Sequence, residues 1–207
     1  MATDLPSELF ARVDETDDQR FYDFPRRVTH VDDATLTALT RYLDEALPER
    51  PSVLDLMSSW VSHLPPREYA EVAVLGMNAE ELAANRQATQ CDVHDLNRSP
   101  ETPYDTARFD WALISFSVQY LVKPQAVFSD LARVLKPGGT LLIAMSHRCF
   151  PTKAIQAFHV LAPAERMRFV GLCVEACGRY GTAQFIDRSP ESADPLWLVQ
   201  ATTLGGD

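Results

Sequence analysis

Two stretches of the sequence place ionisable and aromatic side chains where they could contact a substrate. The run FYDFPRRVTH at 21–30 could fold over a pocket and recognise an anion, or it could be an arm packed on the protein with solvated arginines. His147 follows an apolar run that ends at Ser146, and imidazole titrates near neutral pH, so His147 is the best candidate for a general base. The alternative is a structural histidine bonded to backbone. Gln119 and Tyr120 follow the earlier apolar run FDWALIS and could also face a substrate. The candidates are Tyr22, Arg26, Arg27, His30, Gln119 and Arg148 for substrate contact, and His147 and Tyr120 for catalysis.

The composition of the chain disfavours several classes of binding partner. The formal charge is −10, and the one basic doublet is Arg26-Arg27, which disfavours a nucleic-acid substrate. Four cysteines without a CxxC pair indicate reduced thiols and predict no metal site. No apolar signal core and no run of membrane-spanning length is seen, so we expect a cytoplasmic protein without a membrane partner.

Strands and helices alternate along most of the chain. Apolar runs at PSVLDL, AEVAVLGM, ATQCDVHDL, FDWALIS and TLLIAMS read as five strands, separated by helical patterns, a short helix in SSWVSHLPPREY among them. A helix with leucines at helical spacing, capped by Thr29, Asp32 or Asp33, precedes the first strand. Two helical stretches split near Pro163 and two short antiparallel strands, AQFIDRSP and PLWLVQATT, follow the fifth. This order predicts an α/β fold with parallel strands joined by right-handed crossovers.

The stretch FDWALISFSVQYLVKPQAVFSDLARVLKPGGTLLIAMS carries a family resemblance. Its order of strand, aromatic turn, amphipathic helix, LKPGG and strand resembles the class I S-adenosylmethionine-dependent methyltransferases, most closely the methyltransferase type 11 group. The resemblance covers about Pro51 to Thr203. It implies a Rossmann-like, seven-stranded, mostly parallel sheet with helices on both faces, an antiparallel terminal strand and an N-terminal helical cap. We therefore expect an N-terminal cap and helix at 1–50, a Rossmann-like methyltransferase domain at 51–207 that forms one structural unit, and S-adenosylmethionine as cofactor.

The resemblance also implies which residues hold the cofactor. In VLDL, Asp55 matches the acid that anchors the amino-acid end, and Met57, Ser59 and Val61 stand where the family has glycines. Glycine there allows positive φ and close approach of the ligand. The hydroxyls of Ser58 and Ser59 could compensate.

The other residues that the resemblance predicts to bind the cofactor follow the second, third and fourth strands. Met77 and Asn78 match the ribose position, where the family usually has an acid; Glu80 or Glu81 is the alternative. Asp92 matches the adenine-binding acid, or it only caps a loop. Val93 matches the backbone partner of the adenine ring, and Ser115 and Phe116 match the turn beside the methionine part.

Three functions are compatible with this pattern to different degrees. The first is in-line methyl transfer to a small molecule, favoured by Asp55, Asp92 and LKPGG; the absence of a DPPY or NPPY motif disfavours bases and glutamine as acceptors. The second is a non-catalytic binding or regulatory relative that has lost or altered cofactor binding, favoured by the missing glycines and by Asn78. A nicotinamide-dependent dehydrogenase is disfavoured because no GxGxxG follows a predicted strand.

Overall fold

The computed structural model describes residues 5–204 and is built around one seven-stranded sheet. The ends of the two predicted domain ranges, residues 1–4 and 205–207, lie outside the described residues. The strands are β1 (Ser52–Leu56), β2 (Glu71–Gly76), β3 (Gln90–Val93), β4 (Phe109–Ser115), β5 (Leu135–Met145), β6 (Gln184–Asp187) and β7 (Trp197–Thr202). Their spatial order is β3-β2-β1-β4-β5-β7-β6.

The first five strands are parallel and β7 is antiparallel to both of its neighbours. Continuous apolar runs suit strands that are covered on both faces, and β1, β2 and β4 are buried along most of their length. The predicted Rossmann-like fold, with a mostly parallel seven-stranded sheet and an antiparallel terminal strand, is confirmed. The chain reverses its strand order at β1 and β4, and α/β proteins bind ligands at such a switch point, outside the carboxyl ends of the strands.

Helices cover both faces of the sheet. They are α1 (Asp18–Tyr22), α2 (Asp33–Ala46), α3 (Ala79–Ala84), α4 (Pro124–Val134), α5 (Ala157–Val160) and α6 (Pro163–Ala176). Asp32 is the cap of α2, since its carboxylate accepts a hydrogen bond from the Thr35 amide. Leu39 and Leu43 of α2 pack on one face of the sheet, and α4 and α6 pack on the other. Among the described residues, no helix combines the length and apolarity needed to cross a membrane.

The connection from β1 to β2 differs from the prediction. Residues 57–70 contain no helix, although a short one was expected within SSWVSHLPPREY. Pro65 and Pro66 interrupt the segment and disfavour helical backbone before and at each proline. The face of the sheet beside this connection is covered instead by α2, which contacts Val53 of β1 and Leu113 of β4 in the same apolar cluster.

Candidate active site

A deep cavity lies at the carboxyl ends of β1, β2 and β4. It encloses about 1080 Å³ of atom-free space, counting its open mouth. The N-terminal residues 18–30, called here the covering segment, lie across it and contribute Asp18, Tyr22, Arg26, Val28 and His30 to its wall.

Asp55, at the end of β1, forms the floor of the cavity. Its side chain is buried, with a hydrogen bond of 2.6 Å from the Ser58 hydroxyl and a second one from Ser62. Burial raises the pKa of Asp55 to about 7, and the two serine hydrogen bonds oppose that shift. Serine hydroxyls in the following loop thus contact this carboxylate.

The loop after β1 contains two left-handed residues, Met57 and His63, and neither is glycine. Met57 has φ +52°, a conformation that costs a residue with a β-carbon roughly 1–2 kcal/mol. The bend carries the Ser58 main chain across β2, where its amide donates to the Leu75 carbonyl at 2.9 Å. A β-carbon at Gly76 would collide with the Ser58 carbonyl oxygen, so this crossing requires glycine at position 76.

The first turn of α3 provides a buried carboxylate, that of Glu81, close to Asn78, whose own side chain is an amide. The Asn78 side chain accepts from the Glu81 amide at 3.0 Å as the helix cap and donates to the Tyr22 carbonyl at 2.8 Å. Glu81 is 7% exposed, accepts from the Ser59 hydroxyl at 2.6 Å and also accepts from the Arg26 amide. Both residues line the cavity, and both hold the covering segment in place.

The two residues predicted to bind adenine lie at the end of β3, outside the cavity wall. Asp92 and Val93 do not line the cavity: the Asp92 carboxylate accepts from Tyr104 and Gln90, and Val93 is 60% exposed. The cavity wall is formed instead by the next four residues, 94–97. One oxygen of the Asp95 carboxylate accepts from the Asn97 and Arg98 amides in a turn.

The turn after β4 forms the opposite wall. Ser115, Phe116 and Ser117 all line the cavity, with Phe116 left-handed at φ +55°. The Ser117 hydroxyl is buried and has no hydrogen-bond partner in the structure. Tyr120 also lines the cavity; its oxygen accepts from the Phe150 amide at 2.8 Å, and burial raises its pKa to about 12.

Buried charges hold the covering segment at its start. Asp18 pairs with Arg12 at 2.8 Å and with Lys153 at 3.1 Å, and it accepts from the Asn97 amide nitrogen at 2.8 Å. Burial raises the pKa of Asp18, but the hydrogen bonds from Asn97, Arg12 and Lys153 outweigh it and leave the pKa lowered. Lys153 is 1% exposed, so an unpaired charge here would be costly.

Four predicted substrate or catalytic residues do not reach the cavity. His147 and Arg148 both pair with Asp194, because the chain after β5 turns toward that carboxylate. Arg27 pairs with Glu80 outside, and the Gln119 amide donates to the Phe116 carbonyl. The prediction that His147 is the general base is therefore wrong for this cavity, because its side chain lies outside it.

Eight of the ten predicted cofactor residues line the cavity, together with four of the predicted substrate or catalytic residues. Those present are Asp55, Met57, Ser58, Ser59, Met77, Asn78, Ser115, Phe116, Tyr22, Arg26, His30 and Tyr120. Sequence reasoning missed Asp18, His63, Asp95, Asn97, Ser117 and Phe150. Only Asp95 and Ser117 had a usable signal, since both follow a strand's carboxyl end.

A comparison with protein families identifies the middle of the chain. Residues 57–143 match the family model described as a methyltransferase domain. The matched residues include the loop after β1, the start of α3 and the turn after β4. No curated protein matches the chain significantly.

Solved structures share the fold at low sequence identity. A methyltransferase from Aquifex aeolicus has 17% identity and a TM-score of 0.56, covering 90% of this chain and 97% of its own. The geranyl diphosphate C-methyltransferase of Streptomyces coelicolor A3(2), solved with S-adenosyl-L-homocysteine, has 12% identity and a TM-score of 0.56, with coverage of 81% and 77%. The [4+2]-cyclase SpnF has 14% identity and a TM-score of 0.60, with 81% coverage of each chain. The shared architecture therefore occurs with more than one named activity.

Proposed function

We propose that this chain is a class I methyltransferase that binds S-adenosylmethionine in the cavity and transfers its methyl group to a small molecule. The observation that supports this most is the convergence of Asp55 and of residues 57–59, 76–78 and 115–117 on one cavity at the switch point of the sheet. Apart from Gly76 and Ser117, these are the positions at which the family resemblance expects the cofactor.

The available side chains fit the parts of this cofactor. The hydroxyls of Ser58 and Ser59 would bind its amino-acid end above Asp55. The ribose hydroxyls would bond to Glu81, because its carboxylate has acceptor sites beyond the two that Arg26 and Ser59 use, whereas the single side-chain oxygen of Asn78 already caps α3. The adenine amino group would donate to Asp95, whose second carboxylate oxygen has no hydrogen bond within the described residues.

The charge of the cavity also suits a cationic ligand. Its wall carries Glu81 and Asp95, and Asp55 adds a negative charge above about pH 7, against a single guanidinium from Arg26; the charge of Asp18 is already paired with Arg12 and Lys153. That guanidinium donates to the Phe21 carbonyl and lies 3.9 Å from the Phe21 ring centroid. Anion recognition by the FYDFPRRVTH run is thereby disfavoured, because Arg26 and Arg27 both have partners.

The chain's part in the reaction is mainly positioning. The bound cofactor supplies an electrophilic methyl group on a positively charged sulfur. The covering segment limits access by water and by large molecules, which supports a small acceptor. Holding acceptor and methyl in line is itself a large part of such catalysis.

Isothermal titration calorimetry of the full chain with S-adenosylmethionine and S-adenosylhomocysteine tests cofactor binding. We expect saturable binding in the micromolar to sub-millimolar range, and Glu81→Gln should weaken it by about 1–3 kcal/mol through the lost ribose acceptor. Glu80→Gln is the matched control, because Glu80 is exposed and pairs only with Arg27 on the surface. No heat and no thermal shift at millimolar ligand would refute the proposal.

A second candidate is a relative that binds ligands without transferring a methyl group. The helix-free connection at 57–70 favours it, since no helix N-terminus lies there to stabilise the cofactor's carboxylate. Saturable cofactor binding with no S-adenosylhomocysteine formed against a panel of phenols, amines and carboxylic acids would support this alternative.

A further inference from the structure

One side of the cavity is built from aromatic rings. Phe150 stacks on Tyr120 with ring centroids 5.9 Å apart, and the His30 ring meets Phe150 edge-on at 5.1 Å. The His63 ring meets Phe116 edge-on at 6.2 Å. All five residues line the cavity, so we call them the aromatic subsite. These rings pair with one another, since aromatic groups associate with centroids roughly 4.5–7 Å apart, and together they give the cavity an aromatic wall on which a planar ring could pack.

Three polar side chains of the cavity, those of His30, His63 and the neighbouring Ser117, make no side-chain hydrogen bond within the described residues. The Ser117 hydroxyl is 6% exposed and makes no hydrogen bond, although nearly all buried polar groups in proteins are paired. Within residues 5–204, neither the His30 nor the His63 imidazole has a side-chain hydrogen bond; the His63 contact with Thr40 uses its main-chain carbonyl. A ligand is the group that would satisfy all three.

The imidazoles offer acceptors and not positive charge. Burial lowers the pKa of His63 to about 4, with a further lowering from His30. Burial also lowers the pKa of His30, against a smaller opposite effect of Glu81. Both rings are therefore neutral near pH 7, and each neutral imidazole has one nitrogen that accepts a hydrogen bond.

We propose that the aromatic subsite binds a planar aromatic compound that carries a neutral hydroxyl group, with the hydroxyl donating to a histidine and accepting from Ser117. An anionic ring is disfavoured by the carboxylate of Glu81, which lines the same cavity, and by the engagement of Arg26 with Phe21. The proposal names the acceptor class for the proposed function, but the binding itself requires no cofactor.

Three probe ligands separate the features of this subsite. Binding of 2-naphthol, 2-methoxynaphthalene and 2-naphthoate to the full chain is followed by fluorescence and calorimetry, each with and without S-adenosylhomocysteine. The hydroxyl compound should bind at least ten-fold more tightly than its methyl ether, which lacks the donor, and than the carboxylate, which carries a charge. Equal affinity for the hydroxyl compound and its ether would overturn the proposal.

Two serine variants provide the matched comparison. Ser117 and Ser146 are both buried with unpartnered hydroxyls, but only Ser117 lines the cavity. Ser117→Ala should weaken 2-naphthol binding about ten-fold, and Ser146→Ala should leave it unchanged. His63→Asn should also weaken it, and asparagine is chosen because His63 has φ +54°. Unchanged binding in both Ser117→Ala and His63→Asn would overturn the assignment.

The outcome is independent of the cofactor proposal. Binding of 2-naphthol without any binding of S-adenosylmethionine would support the subsite and refute methyl transfer. Binding of S-adenosylmethionine with no preference among the three probes would support the cofactor proposal and refute the aromatic subsite.

Discussion

The buried carboxylate of Asp55 should make the protein less stable as the pH rises toward 7, and Asp55→Asn should remove that loss. Burial raises the pKa of Asp55 to about 7 in the folded state, whereas an unfolded aspartate titrates near ~3.9. Between these values the folded chain keeps a proton that the unfolded chain has released, so the free energy of unfolding falls with increasing pH. About three pKa units at ~1.4 kcal/mol each give a loss of about 4 kcal/mol above pH ~7.

Asparagine has almost the same shape and can still accept a hydrogen bond from Ser58, but it cannot ionise. Urea denaturation of both proteins at about pH 5 and about pH 8 measures the effect, and the stability gain of Asp55→Asn should grow by a few kcal/mol between them. Asp105→Asn is the control, since Asp105 is exposed and substitution there should change stability little at either pH. A difference between wild type and Asp55→Asn that does not change with pH would refute the reasoning.

Three further substitutions test the loops around the cavity. Gly76→Ala should lower the free energy of unfolding in urea by about 1–3 kcal/mol, because the new methyl group would collide with the main-chain oxygen of Ser58. Gly181→Ala is the control and should be tolerated, since the nearest atom would lie 3.9 Å from its methyl group. Equal losses of stability in the two variants would contradict this explanation. Asn78→Asp keeps the helix cap but loses the amide that holds the Tyr22 carbonyl, so hydrogen exchange in residues 18–30 should accelerate several-fold, and unchanged exchange would mean that the tether is not needed. Met57→Gly relieves a left-handed residue by roughly 1–2 kcal/mol and should bind S-adenosylmethionine at least as well in calorimetry; a ten-fold loss would show that the Met57 side chain contacts the ligand.

The sequence predicted the sheet and half of the site because both depend on local patterns. Apolar runs separated by breakers define β1, β2, β4 and β5, and a residue that follows a parallel strand reaches the same edge of the sheet as the others. That reasoning placed Asp55, Asn78 and Ser115 on one cavity correctly.

The errors arose where a side chain has a distant partner. His147 also follows a strand, but Asp194, almost fifty residues later, draws it away from the cavity. Asp92 has the expected position, yet its hydrogen bond to Tyr104 turns the carboxylate elsewhere. The part played by Asn78 depends on the Tyr22 carbonyl, which no local pattern around position 78 could reveal.

The position of β7 between β5 and β6 has a consequence for folding. β6 precedes β7 in the chain, but its only partner in the sheet is β7. During synthesis β6 can therefore join no sheet until residues 197–202 have left the ribosome, and until then the unpaired edge of β5 is open to other chains. Deletion of residues 197–202 should thus promote aggregation, because it leaves β6 without its partner and the outer edge of β5 unpaired, although no residue of the cavity is removed.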